Sequence, residues 1–207
     1  MTLSAEAWHR HYEAGKDFRP MTGAVRAVLD EHLRLQADAE GRRALDVACG
    51  TGELARLLAE AGYRVDAVDY ARAAIDRARE VSPPEIAFHC LDIADGDLTA
   101  LTPADGYALI TVCRALAHLP DRTRVVAALG ALLGPDGTLC VITPHAARMP
   151  EDLRSICLDD AELDTLADGW ERSERVDAAE STVVLLHGPC TTVTDARNPP
   201  SVALENP

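Results

Sequence analysis

Lysine is nearly absent: only Lys16 is a lysine, and the other basic residues are arginines. Bases of both kinds number 20 against 34 acids, for a formal net charge of −14. So acidic a chain repels phosphate backbones and anionic bilayers, and neither nucleic acid nor membrane is an expected partner. Long apolar runs are also missing. None reaches the roughly 18–20 residues of a membrane-spanning helix. Residues 1–10 lack the basic-then-apolar order of a secretion signal, so a cytoplasmic setting is expected. The cysteines Cys49, Cys90, Cys113, Cys140, Cys157 and Cys190 form no C-x-x-C pair for zinc or redox chemistry. Cys90, Cys113 and Cys140 fall in apolar runs and read as small buried hydrophobes of a reducing compartment. The seven histidines show neither H-x₃-H nor H-E-x-x-H spacing, and no metal site is expected. Aromatic residues make up only 4 % of the chain, yet Trp8, Tyr12 and Phe18 crowd into one short polar segment.

What is present is enough apolar material for one core: 47 % hydrophobic residues over 207 positions, the size of one domain. Between residues 43 and 143, short apolar runs alternate with helical patterns. The runs are 44–48, 64–69, 86–91, 107–113 and 138–143, each the length of one strand, and several are apolar on both faces, as buried parallel strands are. Residues 53–61 place Leu54, Leu57, Leu58 and Ala61 on one helical face, with Gly62 to end it. A second helix spans 71–81 and stops before Pro83-Pro84. Asp121 caps a third, with the stripe Val125, Leu129, Leu132 and Leu133, and Gly134-Pro135-Asp136-Gly137 then turns the chain. Residues 97–101 fit either a helical turn or a loop. Farther on, 159–167 reads as a helix with an Asp159/Glu162 capping box. Residues 170–176 alternate like a half-exposed strand, and 182–187 is a β-branched run. Two strands joined without a helix pair antiparallel.

The expected fold is therefore a doubly wound α/β sheet, mostly parallel and seven-stranded, with a C-terminal antiparallel hairpin at one edge. Residues 1–34 form an N-terminal helical segment whose aromatics either pack on the sheet or cover a pocket. Residues 35–188 form the main domain, and 189–207, with four prolines, an extended or disordered tail.

The strongest chemical signal is Asp46-Val47-Ala48-Cys49-Gly50-Thr51-Gly52-Glu53, where a strand gives way to a helix. Gly50 and Gly52 permit a tight turn and close approach of a ligand to the backbone. The helix behind them offers free N–H groups to a carboxylate or phosphate. The stretch 50–55 also satisfies the dinucleotide pattern G-x-G-x-x-(G/A), and Asp69, ending the next strand, suits the ribose of either cofactor class.

Leu45 to Gly52, read L-D-V-A-C-G-T-G, resembles the glycine-rich motif of class I S-adenosylmethionine-dependent methyltransferases, with Ala48 at the family's first glycine. The 65–69 stretch resembles the family's second motif and Cys90-Leu91-Asp92-Ile93 its third. Residues 107–119, followed by Gly134-Pro135-Asp136-Gly137-Thr138-Leu139, resemble the fourth strand and the turn before the fifth, with Asp136 in place of a glycine. The resemblance covers about residues 40–190.

It implies the cofactor S-adenosyl-L-methionine, the product S-adenosyl-L-homocysteine, and a cofactor site made of Asp46, Ala48, Cys49, Gly50, Gly52, Asp69, Tyr70, Asp92, Ile93, Cys113 and Arg114. Asp69 would accept both ribose hydroxyls, Tyr70 would cover the adenine, and Asp92 with the Ile93 amide would meet its edge. Asp46 would orient the glycine loop or meet the ligand's ammonium. Arg114 would bind substrate or the methionine carboxylate, or form a surface ion pair. Trp8, Tyr12 and Phe18 are assigned to a lid or acceptor site. His145 and His118 follow the fifth and fourth strands and are candidate bases. The acceptor is expected to be a small molecule, its atom unspecified, and the oligomeric state is open.

Two rival functions share the fold. An NAD-dependent oxidoreductase would need a hydride-transfer site, and the single Tyr-x-x-x-Lys spacing, Tyr12 to Lys16, lies in the amino-terminal segment ahead of the glycine loop. A cofactor-binding protein without turnover would form no S-adenosylhomocysteine.

Overall fold

The computed structural model describes residues 5–35, 41–94 and 98–188. Two helices, α1 (Ala5–Glu13) and α2 (Gly23–Leu35), precede the sheet. The alternation then runs β1 (Arg43–Val47), α3 (Glu53–Glu60), β2 (Arg64–Asp69), α4 (Arg72–Val81), β3 (Ala87–Cys90), β4 (Tyr107–Cys113), α5 (Arg122–Gly130) and β5 (Leu133–Pro144). It closes with α6 (Asp160–Ala167), β6 (Arg172–Ala178) and β7 (Ser181–His187). The seven strands form one sheet in the order β3-β2-β1-β4-β5-β7-β6. The first five are parallel, and β7 runs antiparallel to both β5 and β6. The doubly wound sheet with its edge hairpin is as expected. The tail at 189–207 and residues 1–4 lie outside the described residues.

Period-two alternation explains why the sheet is covered twice. Leu109, Cys140, Ile142, Val183 and Leu185 point to one face, where α2, α3 and α4 pack. Ile110, Leu139, Val141, Val184 and Leu186 point to the other, under α5 and α6. Each fully buried aliphatic side chain stabilises the fold by about 1.5–3 kcal/mol relative to exposure. Asp121 caps α5 by accepting from the Arg124 amide, and Asp159 and Glu162 close the capping box of α6.

Several local expectations shift. Helix α3 ends at Glu60, so Ala61 is an exposed cap residue rather than part of the buried stripe. Leu133 opens β5 instead of closing α5. Gly134 to Gly137 is no turn between elements. It lies within β5 as an irregularity, because pairing moves from Tyr107↔Leu133 to Leu109↔Thr138, an outpocketing that keeps the chain in the ladder. Residues 98–101 form a 3-10 turn. Strand β6 does not alternate: Arg172 to Asp177 are all exposed. As the sheet edge it carries charges on both faces, which discourages pairing with another chain, while Trp170 ahead of it is buried beneath α6.

At the amino end of the sheet a buried acid ties four strands together. Asp66 accepts from the Tyr107 hydroxyl at 3.0 Å and from Arg43 at 2.5 Å, and its other oxygen is 3.1 Å from His89 Nε2. The carboxylate holds the Arg43 guanidinium above its ordinary pKa, and burial beside Asp66 raises the Tyr107 phenol. We expect Tyr107→Phe, which deletes one bond to a charged acceptor, to cost about 1.5–3 kcal/mol. Urea unfolding followed by circular dichroism measures this, and an unchanged midpoint would show that the hydroxyl contributes nothing.

Candidate functional site

The carboxyl ends of β1, β2 and β4 open into a cavity of about 150 Å³. Its floor is Asp46 of β1 with Ala48 to Thr51, Glu53 and Leu54 from the following loop and helix. One wall is Asp69 and Tyr70 after β2. The opposite wall is Cys113 to Ala115 after β4, with His118 and Leu119 beyond. The roof comes from the amino-terminal segment: Trp8, Tyr12, Phe18, Arg19 and Met21.

The loop geometry has a local cost. Ala48 and Arg114, at the ends of neighbouring strands, both adopt left-handed backbone angles (φ 54° and 55°). For a non-glycine residue this costs on the order of 1–2 kcal/mol, and it persists because the surroundings over-determine it. The Arg114 amide donates to the Ile142 carbonyl at 2.7 Å, the Cys49 amide donates to Val68 at 3.0 Å, and the Gly50 amide donates to Asp69 Oδ2 at 2.9 Å. The other oxygen of Asp69 accepts from the Ala71 amide at 2.8 Å. The Asp69 carboxylate therefore closes the glycine loop while lining the cavity. Burial raises its pKa and these two amides oppose the rise.

Asp46 is 1 % exposed. Its Oδ1 accepts from the Thr111 hydroxyl at 2.8 Å, whereas Oδ2 has no hydrogen-bond partner among the described residues. Burial pushes its pKa up to about 7; the Thr111 hydroxyl and the Ala55 amide, which faces the carboxylate without closing a hydrogen bond to Oδ2, act in the opposite direction. An orphaned buried carboxylate oxygen in a cavity wall is costly unless a cation or donor meets it. The thiols beside it are held protonated: burial drives Cys49 well above its ordinary value and Cys113 up to about 12. Neither suits nucleophilic work.

Sequence reasoning placed most of these residues together. Asp46, Ala48, Cys49, Gly50, Asp69, Tyr70, Cys113, Arg114, His118, Trp8, Tyr12 and Phe18 all line the cavity. Four candidates do not. Gly52 is buried behind the loop as the left-handed N-cap of α3 (φ 81°). A Cβ there would sit 3.0 Å from the Phe88 ring, so its side-chain space belongs to the core, not to a ligand. Gly50 is the glycine that faces the cavity, its Cβ direction leading to the Tyr12 hydroxyl at 2.9 Å. Asp92 turns back to accept from the Ala94 amide at 2.9 Å, and Ile93 packs against the core. His145 is 6 % exposed and lies outside the cavity. Its Nδ1 accepts from the Ala147 amide, which leaves the proton on Nε2 to donate to Asp160 at 3.2 Å. The ring braces the segment after β5 instead of facing a substrate.

Arg114 forms no ion pair among the described residues. Its Nη1 donates to the carbonyls of Arg19 and Pro20 at 2.8 and 3.0 Å, clamping the roof to the sheet. Glu53, absent from the candidates, accepts from the Met21 amide at 3.1 Å and holds the same segment from the other side. Its position directly after the glycine loop was a usable signal. Arg19, Met21 and Leu119 carried none. Helix α1 docks on α4: Arg77 donates to the Lys16 carbonyl and pairs with Asp17, and His9 Nδ1 accepts from the Ala73 amide. No group of His, Cys, Asp and Glu among the described residues is arranged to hold a metal ion. No helix among them is long and apolar enough to cross a membrane.

Comparison with known proteins bears on the family and the fold. The ubiquinone biosynthesis O-methyltransferase of Ralstonia nicotianae is 31 % identical over 143 residues, 68 % of this chain and 59 % of that protein. Its namesake in Nitrosococcus oceani is 32 % identical over 132 residues, 62 % of this chain and 54 % of that protein. The chain thus spans little more than half the length of these relatives. Among solved structures, the N-methyltransferase NodS of Bradyrhizobium japonicum WM9 with S-adenosyl-l-homocysteine superposes with TM-score 0.63 at 21 % identity, covering 81 % of this chain and 89 % of that one. The plantazolicin methyltransferase BpumL superposes with TM-score 0.69 at 13 % identity, covering 89 % and 94 %. These likenesses establish the fold. The profile of the family described as "Methyltransferase domain" matches residues 18–177, and the chain belongs to that family.

Proposed function

We propose that the protein transfers a methyl group from S-adenosylmethionine to a small-molecule acceptor. The observation that carries this reading is the orphaned Oδ2 of buried Asp46, beside a glycine loop closed by Asp69. Together they form an electronegative floor suited to a ligand bearing both an ammonium and a cis-diol. S-adenosylmethionine has both, and it brings a methyl group already activated on a sulfonium.

In this reading the lone pairs of Asp69 left free by its two amide bonds hold the ribose hydroxyls, and Tyr70 covers the adenine. Asp46 meets the ammonium. Arg19 and Arg114, the cations of the cavity lining, take the carboxylate. Residues 5–18 act as a lid whose Trp8, Tyr12 and Phe18 exclude water. The displaced sulfur leaves neutral, so the protein contributes mainly alignment and dryness. The apolar side chains of the roof favour an acceptor with an apolar body, and the net charge of −14 favours a small molecule over nucleic acid. The names of the curated relatives make a hydroxyl oxygen the first acceptor atom to test. Free, buried thiols at Cys140 and Cys157 accord with work in the cytoplasm.

Three outcomes are expected. Asp69→Asn keeps one carbonyl acceptor for the loop amides but loses the charge, and should weaken S-adenosylhomocysteine binding by about 1.5–3 kcal/mol, or roughly 10- to 150-fold. Calorimetric affinity within a factor of about two of wild type would remove Asp69 from the site.

Asp46 should make both stability and binding depend on pH. Its folded pKa of about 7 lies above the ordinary 3.8. An acid shifted upward contributes stability that is complete below the unfolded value and is lost as pH rises through the folded one. The ligand-free protein should therefore lose stability between about pH 4 and 7 relative to Asp46→Asn. Affinity for S-adenosylhomocysteine, which needs the ionised carboxylate, should rise over the upper part of that window. Parallel pH profiles for wild type and Asp46→Asn would refute the assignment.

Hydrogen exchange tests the lid. S-adenosylhomocysteine should slow exchange across residues 8–18. Equal protection with and without it would leave these aromatics as mere packing.

A further inference from the structure

We propose that a cleft at the amino end of the sheet is a second binding site, for a short peptide-like zwitterion whose carboxylate and ammonium stand about 10 Å apart. The cleft shares no lining residue with the methyl-transfer cavity, which opens at the opposite ends of the same strands.

The cleft measures about 670 Å³, a volume in the range of small-molecule sites. Its lining divides by charge. Arg42 and Arg43, where β1 begins, and Arg64, the first residue of β2, supply one side. Asp105, ahead of β4, and Asp136, within β5, supply the other. The strand order β2-β1-β4-β5 fixes the separation. At about 4.8 Å per strand, β2 lies roughly 10 Å from β4 and roughly 14 Å from β5.

Arg43 is taken by Asp66. The side chains of Arg42, Arg64, Asp105 and Asp136 form no hydrogen bond or ion pair among the described residues. The charge of Arg42 does bear on the Tyr63 phenol, opposing the rise in pKa that burial causes. Elsewhere arginines find acids: Arg77, Arg122 and Arg148 each hold a carboxylate. Here the two signs line one cleft without meeting, because the intervening strands hold them apart.

The acidic wall is rigid. Gly106 and Gly134 pack backbone on backbone: a Cβ on Gly106 would sit 2.4 Å from the Gly134 nitrogen, and one on Gly134 would sit 2.5 Å from the Asp105 carbonyl oxygen. A Cβ on Gly137 would sit 2.6 Å from the Tyr107 oxygen. The Gly106 amide closes the turn onto the Pro103 carbonyl at 3.0 Å. Asp105 and Asp136 are the exposed acids on either side of this joint. Asp136 also stands where the turn that the chain resembles carries a glycine, so this acid is a departure particular to the chain.

Charge selects the ligand. A bare polyanion would meet two aspartates in a protein of net charge −14, and a bare polycation would meet the arginines. A ligand carrying both signs at the matching distance satisfies each wall. An extended tripeptide spans about 10 Å, with its ammonium toward Asp105 and Asp136 and its carboxylate toward Arg42 and Arg64.

The test is an NMR titration of the full chain, labelled with nitrogen-15, with triglycine as probe. N-acetyltriglycine lacks the ammonium, triglycinamide lacks the carboxylate, and pyrophosphate carries negative charge alone. Triglycine should shift the amide signals of Gly41, Gly106, Gly134 and Gly137 and leave those of Gly50 and Gly52 in place. Each capped peptide should bind about threefold or more weakly than triglycine. Arg64→Gln and Asp136→Asn alter exposed side chains and should keep the wild-type circular dichroism while weakening triglycine about three- to fivefold. Arg64→Gln should leave triglycinamide affinity unchanged, because the carboxylate it serves is already gone, and Asp136→Asn should likewise leave N-acetyltriglycine unchanged. Absence of shifts at the four cleft glycines overturns the site, as do shifts confined to Gly50 and Gly52. Equal binding of the capped peptides, or tighter binding of pyrophosphate than of triglycine, overturns the zwitterion.

Discussion

The reversal of strand order between β1 and β4 is the constraint from which the site follows. The chain begins in the middle of the sheet, winds outward through β2 to β3, and returns to lay β4 on the opposite side of β1. The segments leaving the two central strands must then part. That after β1 leads to α3 on one face, and that after β4 leads to α5 on the other. Parallel strands in register, with Val47 beside Val112, bring both departures to one level and open a crevice between them. Ala48 and Arg114, both left-handed, stand at that parting. Their strain is offset by the surrounding ladder, which would have to break before either could relax.

The same crevice sets the electrostatics. Burial acts in one sense on the acids, thiols, phenols and imidazole set deepest there: it disfavours the charged form. Carboxyl, thiol and phenol groups are pushed up and the imidazole is pushed down. The groups buried deepest there are therefore held toward their neutral forms, although the protein as a whole is strongly acidic. A ligand that brings its own cation to Asp46 reverses part of this cost and converts it into affinity.

Most of the fold was legible because it depends on short-range pattern. Apolar runs of strand length, helices with one buried stripe and two aspartate caps are written within ten residues of themselves, and the parallel sheet follows from their alternation. What local pattern could not resolve was finer. Gly52 and Gly50 are indistinguishable as letters, yet one backs onto Phe88 and the other faces the cavity. Asp92 occupies a familiar station, but its carboxylate finds a nearer donor in the Ala94 amide. His145 and His118 both follow strands, and only packing separates a ring held between Ala147 and Asp160 from one left beneath Trp8. The six exposed positions of β6 depend on its being the sheet edge, which its own alternation did not reveal.

The sequence alone determined the strands, the helices, the glycine loop and the acids at the ends of β1 and β2, and with them a nucleotide-type site at the carboxyl edge. Each of these rests on local backbone preference or on the periodic burial of neighbouring side chains. The tertiary structure alone decided what meets across the cavity: Trp8 with His118, Tyr12 with Gly50, Arg114 with the carbonyls of Arg19 and Pro20. These partners are joined by no periodicity, being separated by up to 110 positions along the chain. They are brought together by the docking of α1 on α4 and by two clamps on the roof. Such contacts form only where surfaces built from separate stretches of chain prove complementary in shape and charge.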